Sequence, residues 1–144
     1  MSKRSSIVKA LAEKFKVIDG NSPYIVNLYN NSFPYLKFWD EVQNFPSVYC
    51  TTGNETREYL PGGFKWGYLG VSVKVYCKGD TSQEQLEQLL GDIETALDLN
   101  NNLIYDDQGS ETTDILITSI TTDEGLLAPY AVGEINLQVR YEIL

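Results

Sequence analysis

The chain has 144 residues, 42% of them hydrophobic and 22% charged, a balance that predicts one globular domain and excludes a disordered or low-complexity polypeptide. Its net charge of −9, from 20 acidic and 11 scattered basic residues, argues against a protein that wraps nucleic acid, which needs clustered Lys and Arg. It has no histidine, which removes the commonest general base, the commonest transition-metal ligand and every Ser-His or Cys-His nucleophile.

The N-terminus is basic at first, but Lys9, Glu13, Lys14 and Lys16 interrupt any signal-peptide core. No apolar run approaches the roughly 20 residues that a membrane helix needs, so the chain is expected to be soluble and not exported. Ser5 or Ser6 can cap a first helix. Ile7, Leu11 and Phe15 then recur four apart with Val8 and Ile18 beside them, against Lys9, Glu13 and Lys16, which predicts an amphipathic helix of about four turns. Gly20, Asn21, Ser22 and Pro23 end it. Residues 24–44 are rich in aromatics (Tyr24, Tyr29, Phe33, Tyr35, Phe38, Trp39), with a short strand expected around Tyr35 to Phe38. Without basic neighbours these rings read as packing surface rather than as a platform for stacking bases.

Phe45 to Thr52 alternates, with Val48 and Cys50 on one face, and Pro46 stands at its start where no ladder donor is needed. Next, GNETREYLPGGFKWG combines Glu55, Arg57 and Glu58 with Tyr59, Leu60, Phe64 and Trp66 around Pro61, Gly62 and Gly63, the composition of a protruding loop or hairpin arm. Tyr68 to Cys77 is a clean strand with Leu69, Val71, Val73, Val75 and Cys77 on one side. Thr81-Ser82-Gln83-Glu84 matches a capping box after the turn at Lys78-Gly79-Asp80. The helix behind it carries the stripe Leu86, Leu89, Leu90, Ile93 and Leu97, and Glu84, Glu87, Asp92, Glu94 and Asp98 read as its solvated acidic face. Asn100 to Asn102 can supply a left-handed C-terminal turn. Leu103 to Tyr105 is a candidate short strand and DDQGSETT a polar loop.

Ile115 to Thr122 is largely β-branched, with Ile115 and Ile117 pointing one way and Leu116 and Ile120 the other, as suits a strand covered on both faces. The connector TDEGLLAPY, with Asp123, Glu124, Leu126, Leu127 and Tyr130, is too long for a two-residue turn and too apolar for an ordinary solvated loop. From Ile135 alternation is strict: Ile135, Leu137, Val139, Tyr141 and Ile143 against Glu134, Asn136, Gln138, Arg140 and Glu142. The helical stripes and strand faces are satisfied together by an α+β fold: a single mostly antiparallel sheet with two helices packed on one face.

Catalytic signatures are absent: GxSxG, HExxH, CxxC and a Walker loop are all missing. PGG lacks the trailing Lys and strand-to-helix context of a phosphate loop. The carboxylate pairs Asp40/Glu41, Asp106/Asp107 and Asp123/Glu124 are sequence neighbours rather than groups facing across a cleft. Asp106, Asp107 and Glu111 lack the EF-hand pattern and read as solvated loop acids. Cys50 and Cys77 lie in apolar strand patterns and are expected to be buried free thiols. The residues therefore point to no enzyme, no cofactor and no metal.

TDEGLLAPYAVGEINLQVRY resembles the C-terminal segment of tail terminator proteins of long-tailed bacteriophages. FPSVYCTTGNETREYLPGG, YLGVSVKVYCKGD and EQLEQLLGDIETALD support it in order and spacing from Phe45 onward. The resemblance implies a single tail terminator-like domain over residues 1–144, a homo-oligomer forming a hexameric ring on the last tube ring, and no catalytic residues. It also implies that the ring stops tube polymerisation and offers the head-docking surface. The implied partners are the tail tube protein and head-completion or connector proteins. DNA would pass through the lumen without specific binding, and no membrane is involved. The implied location is the head-proximal end of the virion tail, after assembly in the host cytoplasm. The interface residues expected on physical grounds are Tyr59, Leu60, Pro61, Gly62, Gly63 and Trp66 in the arm, and Asp123, Glu124, Leu126, Leu127 and Tyr130 in the connector. Two other readings stay open: another ring-forming head-tail connector or tail tube protein, and a monomeric ligand-binding module that uses the aromatic stretch.

Overall fold

Apolar residues at every second position define the two central strands, and both helices pack on the face those residues form. The computed structural model describes residues 2–99 and 102–143. Its elements are α1 (Lys3–Phe15), β1 (Ser32–Phe33), β2 (Ser47–Leu60), β3 (Phe64–Lys78), α2 (Ser82–Leu99), β4 (Thr112–Thr122) and β5 (Tyr130–Glu142). The strands form one sheet in the order β1-β2-β3-β5-β4. β1 runs parallel to β2, and the other pairs are antiparallel. The fold is thus the α+β arrangement expected, with three strands before α2 and two after.

Register makes the core continuous. Val71 pairs with Leu137, Val73 with Ile135 and Leu69 with Val139, so the apolar faces of β3 and β5 coincide. All six are buried, beneath Leu86, Leu89, Ile93 and Leu97 of α2 and Ile7, Leu11 and Phe15 of α1. Gly67 lies under the ring of Tyr141: a Cβ there would stand 2.6 Å from Cε1, so no larger residue fits without displacing the ring. Cys50 and Cys77 are free and buried, and burial pushes both thiols up to about 12.

Several expectations are corrected. Ser2, rather than Ser5 or Ser6, caps α1, its Oγ accepting the Ser5 N–H at 3.1 Å. The helix closes at Phe15, ahead of the Gly20–Pro23 run. Tyr35 to Phe38 is not a strand; the strand falls earlier, at Ser32–Phe33, where it pairs with Val48 and Tyr49. Leu103 to Tyr105 makes only an isolated bridge, Ile104 to Glu111. Asn100 and Asn101, part of the expected C-terminal turn, lie outside the described residues.

Asp92 does not belong to the solvated face of α2. It is 2% exposed, and its carboxylate accepts the N–H groups of Ile25 at 3.0 and 3.1 Å and of Val26 at 2.8 Å. A buried carboxylate needs such donors, and here they tie the segment after α1 to α2. β4 is not covered on both faces either. It is an edge strand, with Leu116 50% and Ile120 43% exposed. A bulge between Ile117 and Ser119 inserts one residue, so Ile120 faces the same side as Ile115 rather than the opposite one.

The aromatic stretch after β1 covers one end of the sheet's other face. Val42, Tyr49 and Tyr76 are buried there with Phe33, Trp39, Phe45 and Val132 packed around them, and the Tyr76 hydroxyl donates to the Lys37 carbonyl at 2.6 Å. Phe33 and Trp39 take the packing role expected of the aromatic stretch, while Tyr29, Tyr35 and Phe38 stay exposed. The rest of that face is open to solvent.

Leu137, 2% exposed at the centre of β5, gives a direct test of the core. Leu137→Ala should lower unfolding free energy by about 2–5 kcal/mol in denaturant titration. An unchanged midpoint would remove Leu137 from the core.

Candidate docking surfaces

The first candidate surface is the β2–β3 arm. The polar run after Cys50 stays in β2 because it pairs with β3 out to Leu60–Phe64. A bulge between Thr52 and Glu55 shifts the phase, so Glu55 sits opposite Leu69 on the helix-facing side. Its carboxylate, 4% exposed, accepts the Tyr141 hydroxyl at 2.6 Å and Arg57 Nε at 2.8 Å. Burial, followed by the hydrogen bond to Glu55 and that group's charge, pushes the Tyr141 hydroxyl well above the ordinary tyrosine range. The base of the arm is therefore pinned to β5.

Past Trp66, which pairs with Glu142, the ladder to β5 ends, leaving one bond from Ile143 N–H to the Lys65 carbonyl. Tyr59 then pairs with Lys65 and Leu60 with Phe64 around the three-residue turn Pro61-Gly62-Gly63. Both glycines have positive φ, 86° and 83°, which a side chain would strain. The tip leaves Tyr59 67%, Phe64 53% and Leu60 38% exposed. The arm is thus a hairpin.

The second candidate surface is the β4–β5 connector. Asp123 does not present its carboxylate outward. It accepts the Leu127 N–H at 3.1 Å, the Val132 N–H at 3.1 Å and Gln83 Nε2 at 3.4 Å, closing the connector on itself and onto α2. Glu124 and Gly125 follow with positive φ, 56° and 83°. Glu124 is exposed, and Leu126, at 83%, is more exposed than any other large apolar side chain described. Leu127 is half-buried. Tyr130 packs edge-on against Trp39 at 5.1 Å and tilted against Phe45 at 5.8 Å, with Lys78 Nζ over its ring at 5.1 Å. Tyr130 therefore supports the connector from below.

The structure does not bring the two surfaces together. The connector precedes Tyr130, which pairs with Lys78, while the arm leaves the sheet beyond the pairing of Trp66 with Glu142. They stand at opposite ends of β3 and β5. Between them the open face is polar. Ser72 Oγ donates to Asn136 Oδ1 at 3.2 Å, Asn136 Nδ2 to Ser119 Oγ at 2.9 Å, and Lys74 pairs with Glu134 at 3.2 Å. A hollow of about 330 Å³, lined by residues that include Thr56, Tyr68, Ser72, Asn136 and Gln138, carries no charged side chain.

At the arm end, the Arg140 guanidinium lies over Trp66 at 4.5 Å and near Tyr68 at 5.9 Å. Alternation put Arg140 on the polar face of β5 but could not show that β3 would bring two aromatic rings beside it. Tyr35 and Phe38, read from the sequence as packing rings, are exposed by 51% and 61%, and Leu36, which the sequence did not mark, by 45%. Among the described residues no group of three or more His, Cys, Asp or Glu is placed to hold a metal ion, and no helix is long and apolar enough to cross a membrane. These surfaces suit protein contact: rigid backbone presenting exposed apolar and charged side chains.

Asp123 gives the connector a pH dependence. Burial alone would raise its pKa, but the donors from Val132, Leu127 and Gln83 outweigh burial and hold it below the ordinary 3.8. A depressed folded-state pKa contributes stability above the unfolded value and loses it as pH falls through the folded value. Stability from this group should therefore be intact at neutral pH and disappear below about pH 4. Thermal unfolding of Asp123→Asn should show a lower midpoint at neutral pH and a flatter fall in acid than the unaltered protein. Parallel curves would mean that the carboxylate does not hold the connector.

Comparison with known proteins places this architecture. Residues 1–144 match the family described as Bacteriophage Tail Tube Terminator Protein. The chain is 44% identical to "Tail tube terminator protein p142" of Escherichia phage T5, over 99% of this chain and 95% of that one. In fold it is similar to a chain of the virion of a native gene transfer agent particle, with a TM-score of 0.60, 9% identity and 94% of each chain covered. The last likeness concerns fold alone; the first two, which span essentially the full length, show that the chain belongs to the family of bacteriophage tail tube terminator proteins, structural components of the virion tail.

Proposed function

We propose that this protein ends tail-tube growth by forming a closed ring on the terminal tube subunits and then serves as the surface to which head-completion proteins attach. The full-length 44% identity to a T5 tail tube terminator carries the reading. In it, residues 1–144 act as one domain and as one subunit of a hexameric ring at the head-proximal end of the tail, assembled in the host cytoplasm. The work is done by shape and contact, without catalysis or a cofactor. A head-to-tail contact whose rotation closes gives a ring with no lateral site left over, and growth along the axis ends because the ring's outer face does not take another tube subunit.

The lumen of such a ring passes DNA without specific binding. Acidic side chains repel phosphate, and the exposed face of α2, with Glu84, Glu87, Glu94 and Asp98 and no basic residue, is a source of such a surface. Partner contacts fall to the arm (Tyr59, Leu60, Pro61, Gly62, Gly63, Trp66) and to the connector (Asp123, Glu124, Leu126, Leu127, Tyr130). Asp123 and Tyr130 hold the connector's shape, while Glu124 and Leu126 project from it.

Electron micrographs of a phage lacking the gene should show overlong tails unattached to heads; tails of normal length joined to heads would refute the function. Complementation with a protein carrying Leu126→Glu and Tyr59→Glu should leave the defect in place. Each lost apolar anchor is worth about 1.5–3 kcal/mol, or about tenfold or more in contact affinity. Normal infectious particles from that variant would refute the interface assignment while leaving the function standing.

A further inference from the structure

We propose that Arg140 and Tyr141, neighbours on β5, are positioning residues that clamp the base of the β2–β3 arm from both faces of the sheet and so fix the direction in which its tip meets a partner. The proposal rests on the reading that the arm makes partner contacts, and it gives the arm's direction to two side chains that act inside the subunit.

The arm's shape makes its base decisive. Past Trp66 only two strands remain, with Tyr59–Lys65 and Leu60–Phe64 as the last pairs. A two-stranded ribbon has little stability of its own, so its direction is whatever its root imposes. Pro61, at the turn, stands about 13 Å beyond Arg57 at about 3.3 Å per residue, so a tilt of about 15° at the root would carry the tip about 3 Å. Close-packed contacts do not tolerate such a shift.

On the helix-facing side the clamp is Tyr141. It pairs with Gly67, which pairs in turn with Arg57 of β2. Gly67 has no side chain to fill the space between them, and a Cβ there would meet the ring at 2.6 Å. The ring therefore passes over β3, and its hydroxyl donates to Glu55 Oε1 on β2 at 2.6 Å. The other carboxylate oxygen of Glu55 accepts Arg57 Nε at 2.8 Å. The bulge between Thr52 and Glu55 is what turns Glu55 to this side. The Glu55 side chain is 4% exposed and Tyr141 2%, so water does not compete for a bond that is short and charge-assisted.

On the open side the clamp is Arg140. It pairs with Tyr68, and its guanidinium lies over Trp66 at 4.5 Å and near Tyr68 at 5.9 Å. The Tyr68 hydroxyl donates onward to Glu58 Oε2 on β2 at 3.5 Å. Arg140 Nε is buried without a hydrogen-bond partner among the described residues, so the group lies there for contact between its flat face and the rings. Each face thus carries one connection from β5 across β3 to β2, at the level where the β3–β5 ladder ends. Held on one face alone, the ribbon would be free to rock toward the other. Held on both, it has one direction before any partner arrives and loses less freedom on association.

Amide hydrogen exchange on the purified protein tests the clamp, and tail length tests its purpose. Tyr141→Phe keeps the ring over Gly67 and removes the hydroxyl; Arg140→Lys keeps the charge and removes the flat face. Arm amides of residues 58–65 should exchange about tenfold faster in the first and about threefold faster in the second, while those of α2 change less. Glu55→Ala should match Tyr141→Phe, and Glu55→Gln, whose amide oxygen still accepts the hydroxyl, should stay close to the unaltered protein. Unchanged arm amides would overturn the clamp. So would arm and α2 amides accelerated by one common factor, the mark of a general loss of stability. Should Tyr141→Phe fail to fold, Arg140→Lys on the open side decides by the same comparison. In a phage lacking the gene, a chain carrying both changes should leave tails overlong and titre down about a hundredfold. Normal tails from a chain whose arm exchanges faster would overturn the positioning role. If the deletion phage itself makes tails of normal length, the terminator reading fails, and the amide comparison still decides the clamp.

Discussion

The register between β3 and β5 is the constraint on which the remaining structure depends. A slip of one residue would invert one strand against the other, turning either Val71 and Val73 or Leu137 and Val139 out to water and bringing Ser72 and Lys74, or Asn136 and Gln138, beneath the helices. Two features hold the register. Leu86 and Leu89 of α2 rest on the apolar faces of both strands, with Gly133 leaving room for the Leu86 side chain 3.1 Å from where a Cβ would be. At the other end Tyr141 lies over Gly67 and donates to Glu55, linking β5, β3 and β2 through one side chain. Both ends of the sheet inherit their geometry from this register, because the arm grows from Trp66 and the connector ends at Tyr130.

Much of this was legible in the residues. β3, β5 and α2 have periods of two and 3.6 that need no tertiary context, and the apolar residues of their stripes are buried, apart from Ile143, which is half-buried beyond the end of β5. The arm was readable as a turn because Pro61-Gly62-Gly63 tolerates little else. What escaped the sequence has a common cause: it depends on which residues a neighbouring strand or segment supplies. The bulges in β2 and β4 reverse the faces of Glu55 and Ile120 without any local mark beyond Gly53 in the first case. Asp92 looked like one more exposed acid, since nothing local shows that Ile25 and Val26 will bring their N–H groups to it. Arg140 alternates correctly onto the polar face, but its aromatic neighbours come from β3.

The connector illustrates how a family resemblance and a physical reading divide the work. The resemblance marks TDEGLLAPY as characteristic without saying what each residue does. The structure separates them: Asp123 is spent inward on backbone N–H groups, Tyr130 is wedged among Trp39 and Phe45, and Glu124 and Leu126 are left exposed to solvent. A shape held by a buried polar anchor can display an aliphatic side chain in water without the loop collapsing over it.

The irregular edge of β4 bears on unwanted association between chains. In a free subunit β4 lies at the open edge of the sheet, where a long, flat strand with exposed Leu116 and Ile120 would recruit other chains into uncontrolled sheets. The irregularities beside Thr113 and Thr118 break the ladder at two points, and Asp114 sets a charge between them. An edge so broken is a poor template for indiscriminate strand addition.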